Sequence, residues 1–249
     1  MTMPNLRELE NAMPVAPLKI VALSSAARMG SRVNDYLVEF RKSVHNDKVK
    51  SDPAFHGYSE NNYLVEVDTP RFGSGEGKAN FSESIRGKDL FLLVDVCNHS
   101  ITYQMNGYTN HMSPDDHYKD LKRVIAACNG KAHRINVIMP FLYEGRQHKR
   151  NGRESLDCAY ALKELENMGI HNFITFDAHD PRVQNSTPLS GFDNFTSPYQ
   201  FIKSLLHSEE DLLVGGGKIV KTAQGSGILY PGIMGVKSDE VVDPHVLQL

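Results

Sequence analysis

Tryptophan is absent from these 249 residues, and cysteine is scarce: Cys97, Cys128 and Cys158 are the only three. They lie far apart and form no CxxC pair, so neither a disulfide framework nor a cysteine-based zinc site is expected. An odd number of widely spaced thiols points instead to reduced cysteines in an intracellular compartment. Cys128 and Cys158 both fall on apolar helical stripes, where a thiol acts as a small buried hydrophobe. No run approaches the roughly 18 apolar residues of a membrane-spanning helix, and no charged segment followed by an apolar stretch opens the chain as a secretory leader would. The expectation is a cytoplasmic protein with no membrane partner. Basic clusters are also lacking. The net charge is −3, and Lys and Arg gather only in short groups such as His148-Lys149-Arg150. A polyanion-binding stripe, and with it a nucleic-acid partner, is not expected. The missing tryptophan itself excludes no function.

What is present is ordinary for a globular protein: 40% hydrophobic and 23% charged residues over a length that suits one large domain or two small ones. Apolar runs alternate with helical patterns. Leu18–Leu23 reads as a strand and leads into Ala26–Ser43, where Val33, Tyr36, Leu37 and Phe40 recur at helical spacing. A polar loop over His45–Asn61 precedes the alternating strand Tyr63–Val67, a glycine-rich turn Thr69–Lys78 and the fully apolar strand Leu90–Val96.

Ser113 then supplies an N-cap, Pro114 the first helical position, and Asp115 and Asp116 suit the positive end of the helix dipole. Leu121, Val124, Ile125 and Cys128 form that helix's buried face, and Asn129-Gly130 ends it. Strand Ile135–Met139, a polar loop, a helix over Glu154–Met168, strand Phe173–Phe176 and a last helix from Ser197-Pro198 burying Phe201, Ile202, Leu205 and Leu206 complete the pattern. Strands separated by helices of this length imply right-handed crossovers and an α/β fold with a mainly parallel sheet flanked by helices. After Leu206 the texture changes. Glycine clusters punctuate a stretch without strong period, so residues 1–207 are read as one domain and 208–249 as an atypical tail or truncated second domain.

In parallel sheets ligands gather beyond the carboxyl ends of the strands. That rule selects Thr69–Lys78, Pro140–Arg153 and Asp177–Pro188. The first combines glycines with Phe72, whose ring can stack on a base, and with Glu76, which can accept hydrogen bonds from an amino group or a sugar hydroxyl. The second gathers Arg146, Lys149 and Arg150, a set suited to polyphosphate because guanidinium forks pair with phosphate oxygens; Gln147 can read a base edge. The third sets His179 between carboxylates at a strand end, where it can hold a divalent metal or a phosphate. Tight hairpin, solvated basic turn and structural histidine are the plainer readings of the same three segments. His56, His99, His133, His171 and His207 are read as structural.

Taken together and in this order, the segments resemble the signature loops of ribose-phosphate diphosphokinases (PRPP synthases). Arg71–Glu76 is similar to the family's Arg-Phe-x-x-Gly-Glu loop, Arg86-Gly87-Lys88-Asp89 to its Arg-Gly-x-Asp strand entry, Pro140–Gln147 to its Arg-Gln loop and Asp177-Ala178-His179 to its Asp-x-His strand end. The resemblance covers residues 15 to 207 or so and is closest to a longer, divergent bacterial branch. It implies the family's phosphoribosyltransferase-like N-terminal domain.

It also implies ATP binding through Phe72, Ser74, Glu76, Arg146, Gln147 and Lys149, with His179 as a ligand of a catalytic Mg2+. Ser74 stands where many members have Asp, His148-Lys149 where Asp-Arg is usual, and Ala178 where Leu is common. The implied reaction transfers pyrophosphate from Mg-ATP to ribose 5-phosphate, and the implied assembly is a homo-oligomer or a hetero-oligomer with a PRPP synthase. The family's acceptor mark is a strand ending in two acids followed by a turn of Thr, Ser and Gly. It has no counterpart here, since Ser238-Asp239-Glu240 and Asp243 lack both the strand and the turn. A nucleotide-binding regulatory subunit is therefore the alternative expectation, and no catalytic residue is assigned.

Overall fold

Five short segments pair side by side, four carrying buried residues and the last a polar edge. In the computed structural model, which describes residues 13–43, 51–208, 213–214, 217–222 and 225–229, β1 (Leu18–Ala22), β4 (Asp89–Leu93), β7 (Arg134–Ile138), β8 (Asn172–Phe176) and β9 (Gly191–Phe195) form one sheet in the order β1-β4-β7-β8-β9. Every pairing in it is parallel, from Leu18 against Asp89 to Phe176 against Phe195. Strand β4 lies inside the sheet between β1 and β7, and four of its five residues are buried, as a parallel strand covered on both faces requires. Leu64 bridges Ile20 in parallel and extends the sheet by one contact beyond β1. The expected strand over Tyr63–Val67 is thus reduced to this bridge plus the two-residue β2 (Val67–Asp68), which pairs with β3 (Asn80–Phe81).

The helices are α1 (Ala27–Ser43), α2 (Pro114–Cys128), α3 (Asp157–Asn167) and α4 (Pro198–Ser208). Helix α2 begins as its sequence dictates. Ser113 Oγ accepts the Asp116 N–H, the Asp116 carboxylate accepts the Ser113 N–H, and Asn129 closes the helix in the left-handed conformation at φ 50°. Leu121, Val124 and Cys128 from α2 and Cys158, Leu162 and Leu165 from α3 meet Leu90, Leu92, Val137 and Phe173 of the sheet in one core. All three cysteines are free, with Cys128 and Cys158 buried.

Two elements depart from the sequence reading. Residues Thr102–Met105 (β5) and Tyr108–His111 (β6) form a hairpin about Asn106-Gly107, both at positive φ, the turn that an Asn-Gly pair favours. Strand β9 is also additional; its polar sequence Gly-Phe-Asp-Asn-Phe suits an edge, where Asn172 Nδ2 donates to Asp193 Oδ2 at 2.7 Å.

The chain divides into two compact units, Met1–Phe195 and Thr196–Leu249. The second holds α4 and an antiparallel sheet of β10 (Leu213–Val214), β11 (Gly217–Thr222) and β12 (Gly225–Leu229). On α4, Phe201 is exposed and Ile202 only half-buried, which corrects the expected burial: amphipathic spacing fixes which residues share a face, not whether a neighbour covers it. The side chains of Leu205, Leu206 and His207 lie outside the described residues. Among the described residues no helix is long and apolar enough to cross a membrane.

Candidate nucleotide site at the strand ends

The hairpin Arg71–Lys78 is closed by its own backbone. Phe72 N–H donates to Glu76 O at 2.7 Å and Gly75 N–H to Phe72 O at 2.8 Å, and Arg71 bridges Gly77. Arg71 anchors it. Its side chain is only 7% exposed and lies between the two carboxylate oxygens of Asp120, both at 3.1 Å, with the Tyr103 ring 5.2 Å away. Arg123 joins Asp120 at 2.7 Å. Burial nevertheless holds the Asp120 carboxyl above its ordinary value, against the pull of Arg123 and Arg71. From the other side, Asn106 N–H of the β5–β6 hairpin donates to Gly73 O at 3.0 Å. The signature arginine is therefore structural, and what the hairpin offers to a ligand is the 53%-exposed Phe72 ring, Ser74 and Glu76. Ser74 Oγ donates to Glu76 Oε2 at 3.1 Å, which orients that carboxylate.

The loops after β7 and β8 lie side by side because their strands are neighbours. Met139 N–H donates to Ile174 O at 2.8 Å and Phe176 N–H to Pro140 O at 3.3 Å. Glu144 in the first loop and Asp177 in the second both take positive φ, 55° and 46°, a conformation that costs free energy in a residue with a Cβ and is found where surroundings impose it. Beyond these bends Arg146, Gln147, Lys149 and His179 are all exposed. His148 packs underneath with its ring 5.0 Å from that of His179 and its Nε2 3.4 Å from Asp180 Oδ2. Its Nδ1 is buried without a hydrogen-bond partner among the described residues. Asp180 caps the short turn Pro181–Ser186. The Arg182 guanidinium beside it, at 2.5 Å, holds the Asp180 carboxyl well below its ordinary range, helped by the Arg182 backbone N–H.

The loop after β4 was missed by the sequence reading, although its position past the apolar run Leu90–Val96 was a usable signal. Asp95 N–H donates to Ser25 Oγ at 3.1 Å and Cys97 N–H to Asp95 Oδ1 at 3.0 Å. Burial and then Asp95 push the exposed Cys97 thiol up, while Arg146 pulls it down. His117 was missed too. It is 1% exposed, its Nε2 is 2.8 Å from Asn98 O, and it holds this loop on α2.

Two of the three expected loops are brought together, and the third stands apart. Arg71 reaches Asp116 and Asp120 of α2, whereas Tyr143 reaches Asp115 at 2.6 Å and stacks on Tyr118 at 4.3 Å. The first turns of α2 thus stand between the hairpin and the β7 loop. Among the described residues no hydrogen bond or ion pair joins Phe72, Ser74 or Glu76 to Arg146, Gln147, Lys149 or His179. A cleft of about 1140 Å3 at the carboxyl end of β1 has Arg71, Lys78, Glu66, Asp68 and Tyr103 in its wall; Phe72 and Glu76 do not line it.

The fourth signature segment lies at the opposite, amino end of the sheet. Asp89 is 4% exposed and binds Arg134 Nε at 2.9 Å, Arg134 Nη2 at 2.6 Å and Asn136 Nδ2 at 2.9 Å, so it ties β4 to β7 rather than touching a strand-end ligand. Among the described residues no group of three or more His, Cys, Asp or Glu is placed to hold a metal ion. Mg2+ requires about six oxygen ligands in octahedral array. His179 offers at most one donor, which fits a cation arriving with a polyphosphate and not one caged by the protein.

The parallel α/β sheet thus carries exposed cationic and amide side chains at the adjacent carboxyl ends of β7 and β8. Residues 18–169 match the family model for the N-terminal domain of ribose phosphate pyrophosphokinase, and the chain belongs to that family. It is 26% identical over 173 residues to ribose-phosphate pyrophosphokinase B of Dictyostelium discoideum, an alignment covering 69% of this chain and 46% of that protein. It is 31% identical over 123 residues to ribose-phosphate pyrophosphokinase of Corynebacterium ammoniagenes, covering 49% of this chain and 34% of that protein. The crystal structure of phosphoribosylpyrophosphate synthetase from Mycobacterium smegmatis shares the fold, with a TM-score of 0.56 at 19% identity over 78% of this chain and 52% of that one. The chain spans about half the length of the relatives it matches over the longest alignments.

Proposed function

We propose that residues 1–207 form the nucleotide-holding domain of a ribose-phosphate diphosphokinase, in which pyrophosphate passes from Mg-ATP to ribose 5-phosphate to give 5-phosphoribosyl diphosphate and AMP. The observation that carries this reading is the exposure of Arg146, Gln147, Lys149 and His179 together at the adjacent ends of β7 and β8, in a chain of this family. Arg146 and Lys149 pair with phosphate oxygens, Gln147 reads the base edge, and Phe72, Ser74 and Glu76 supply an adenine platform.

When bound, Mg2+ would neutralise charge on the migrating group, and His179 is the residue that would hold it. The protein's own share is alignment, because in-line attack of the ribose 1-hydroxyl on the β-phosphorus needs little covalent help. Such a protein works in the cytoplasm as an oligomer of its own kind or with a PRPP synthase.

A second reading is favoured by one sequence observation. The acceptor's paired acids and small-residue turn are not among these residues, so ribose 5-phosphate would be held by residues outside them. The chain would then be a nucleotide-binding regulatory subunit of a full-length relative.

Titration calorimetry with ATP, with and without Mg2+, tests both readings. Mg-dependent uptake is expected, and its absence from well-folded protein overturns them. A coupled assay for AMP release with ribose 5-phosphate separates them: turnover above a His179→Ala control selects the enzyme, and binding without turnover selects the subunit.

A further inference from the structure

The side chain of His148 is only 10% exposed, and neither of its ring nitrogens is well satisfied. Nδ1 is buried without a hydrogen-bond partner among the described residues. Nε2 stands 3.4 Å from Asp180 Oδ2, longer than a good N–H···O bond. That oxygen already accepts from Arg182 Nη2 at 2.5 Å and Arg182 Nε at 3.1 Å. A histidine placed for structure alone behaves otherwise: His117 is 1% exposed and its Nε2 lies 2.8 Å from Asn98 O. Burying an imidazole strips it of water, and the lost bonds are normally replaced inside the protein. For His148 they are not, and an ion is one of the few physical reasons for such a group.

Its neighbour indicates which kind of ion. The centre of the His179 ring is 5.0 Å from that of His148, with 36° between the ring planes. Two imidazoles that share one cation, each through a nitrogen at about 2.1 Å and in neighbouring coordination positions, have ring centres roughly 4.5–5.5 Å apart. The two rings already stand at that separation. Their loops are tied together by the bonds from Met139 N–H to Ile174 O and from Phe176 N–H to Pro140 O, so the sheet sets the spacing. His179 is exposed, and its ring turns about its last torsion at little cost. Mg2+ takes oxygen ligands in near-ideal octahedral array, whereas imidazole suits first-row transition cations. The adjacent carboxylate does not shift that balance, because Arg182 engages both Asp180 oxygens.

We propose that His148 is a second ligand beside His179, and that the pair holds a nitrogen-preferring transition cation of the Co2+ or Zn2+ kind in preference to Mg2+. Two imidazoles fill two coordination positions and leave the others to water or to phosphate oxygens. The inference rests on the nucleotide reading above, which gives the cation to His179.

Untagged full chain is titrated with Co2+ in the absence of nucleotide, by calorimetry and by the visible absorption of the bound ion. Uptake of one Co2+ is expected at concentrations where Mg2+ gives no heat. His148→Asn and His179→Asn should each lower Co2+ affinity at least about tenfold, while His171→Asn, at an exposed histidine outside the site, leaves it unchanged. A measurement on wild-type protein covers the case of a variant that misfolds. In 15N NMR of the histidine rings, Zn2+ should move one ring nitrogen of His148 and one of His179 to the metal-bound position together.

The proposal is overturned by no Co2+ uptake, by Mg2+ bound as tightly as Co2+, or by an equal loss in His171→Asn. Unchanged affinity in folded His148→Asn overturns it too, as does a Zn2+ shift confined to His179. The two readings fail separately. Zn2+ on both rings without any Mg-ATP uptake removes the nucleotide reading and leaves the pair standing; Mg-ATP uptake with Zn2+ on His179 alone does the reverse.

Discussion

The hairpin Arg71–Lys78 holds its shape through its own backbone and one buried arginine, whereas the loops after β7 and β8 hold theirs by leaning on each other. In the first, Arg71 and Asp120 are almost fully buried and the ligand-facing residues stand out in solvent. In the second, the buried member is His148 under His179, and the backbone carries positive φ at Glu144 and Asp177. The difference teaches that a signature residue is not thereby a ligand contact. Arg71 and Asp89 maintain geometry, while Phe72, Arg146, Gln147 and His179 are exposed.

That division is broken most severely at Arg71. Its replacement by alanine leaves Asp120 with only Arg123 in a nearly dry site, and removing one partner of a buried pair costs about 3 kcal/mol. Urea denaturation should register the loss as a lower midpoint. A variant as stable as wild type would show that the anchor is not the hairpin's support. Arg146→Ala comes next. Its side chain is exposed, so stability is unchanged while ATP affinity falls by about 2 kcal/mol, roughly 30-fold, the value of a charge-assisted hydrogen bond. Calorimetry reads it directly.

Phe72→Ala should weaken ATP binding by about 1–2 kcal/mol through lost stacking, again with no effect on unfolding. If both regions grip one nucleotide, the two changes lower the same affinity and the double variant is additive within a few tenths of a kcal/mol. A wild-type affinity in either variant would separate the regions.

The smallest effect is on titration. Asp180 has a depressed carboxyl, so whatever stability it lends is present above the ordinary carboxylate range and is lost as pH falls through the lower folded value. Arg182→Ala should move the Asp180 titration, followed by carboxyl NMR, back up toward the ordinary range. An unmoved titration would assign the depression to the backbone N–H of residue 182 instead.

Local signals were legible wherever a few neighbouring residues settle the outcome. Ser113-Pro114-Asp115-Asp116 writes the start of α2, and the apolar run at Leu90–Leu93 writes an interior strand. The Asn106-Gly107 turn was equally legible and was passed over because its flanking strands are polar. Strand β9 had no such signal, since an edge strand needs few apolar residues. The site followed the same rule. Loops at strand ends could be picked from order alone, but which of them converge depends on strand neighbours, and β7 and β8 are adjacent only in the folded sheet.

The sequence by itself determined the alternation of strands and helices, the helix caps and the identity of the strand-end loops, because these depend on periodicity and on contacts within a few residues. Tertiary structure alone decided that Arg71 is an anchor, that α2 stands between the hairpin and the β7 loop, and that α1 turns Val33, Tyr36 and Phe40 outward. Each of these rests on which side of an element finds a partner distant in sequence, and helical spacing is the same whether a face is covered or bare.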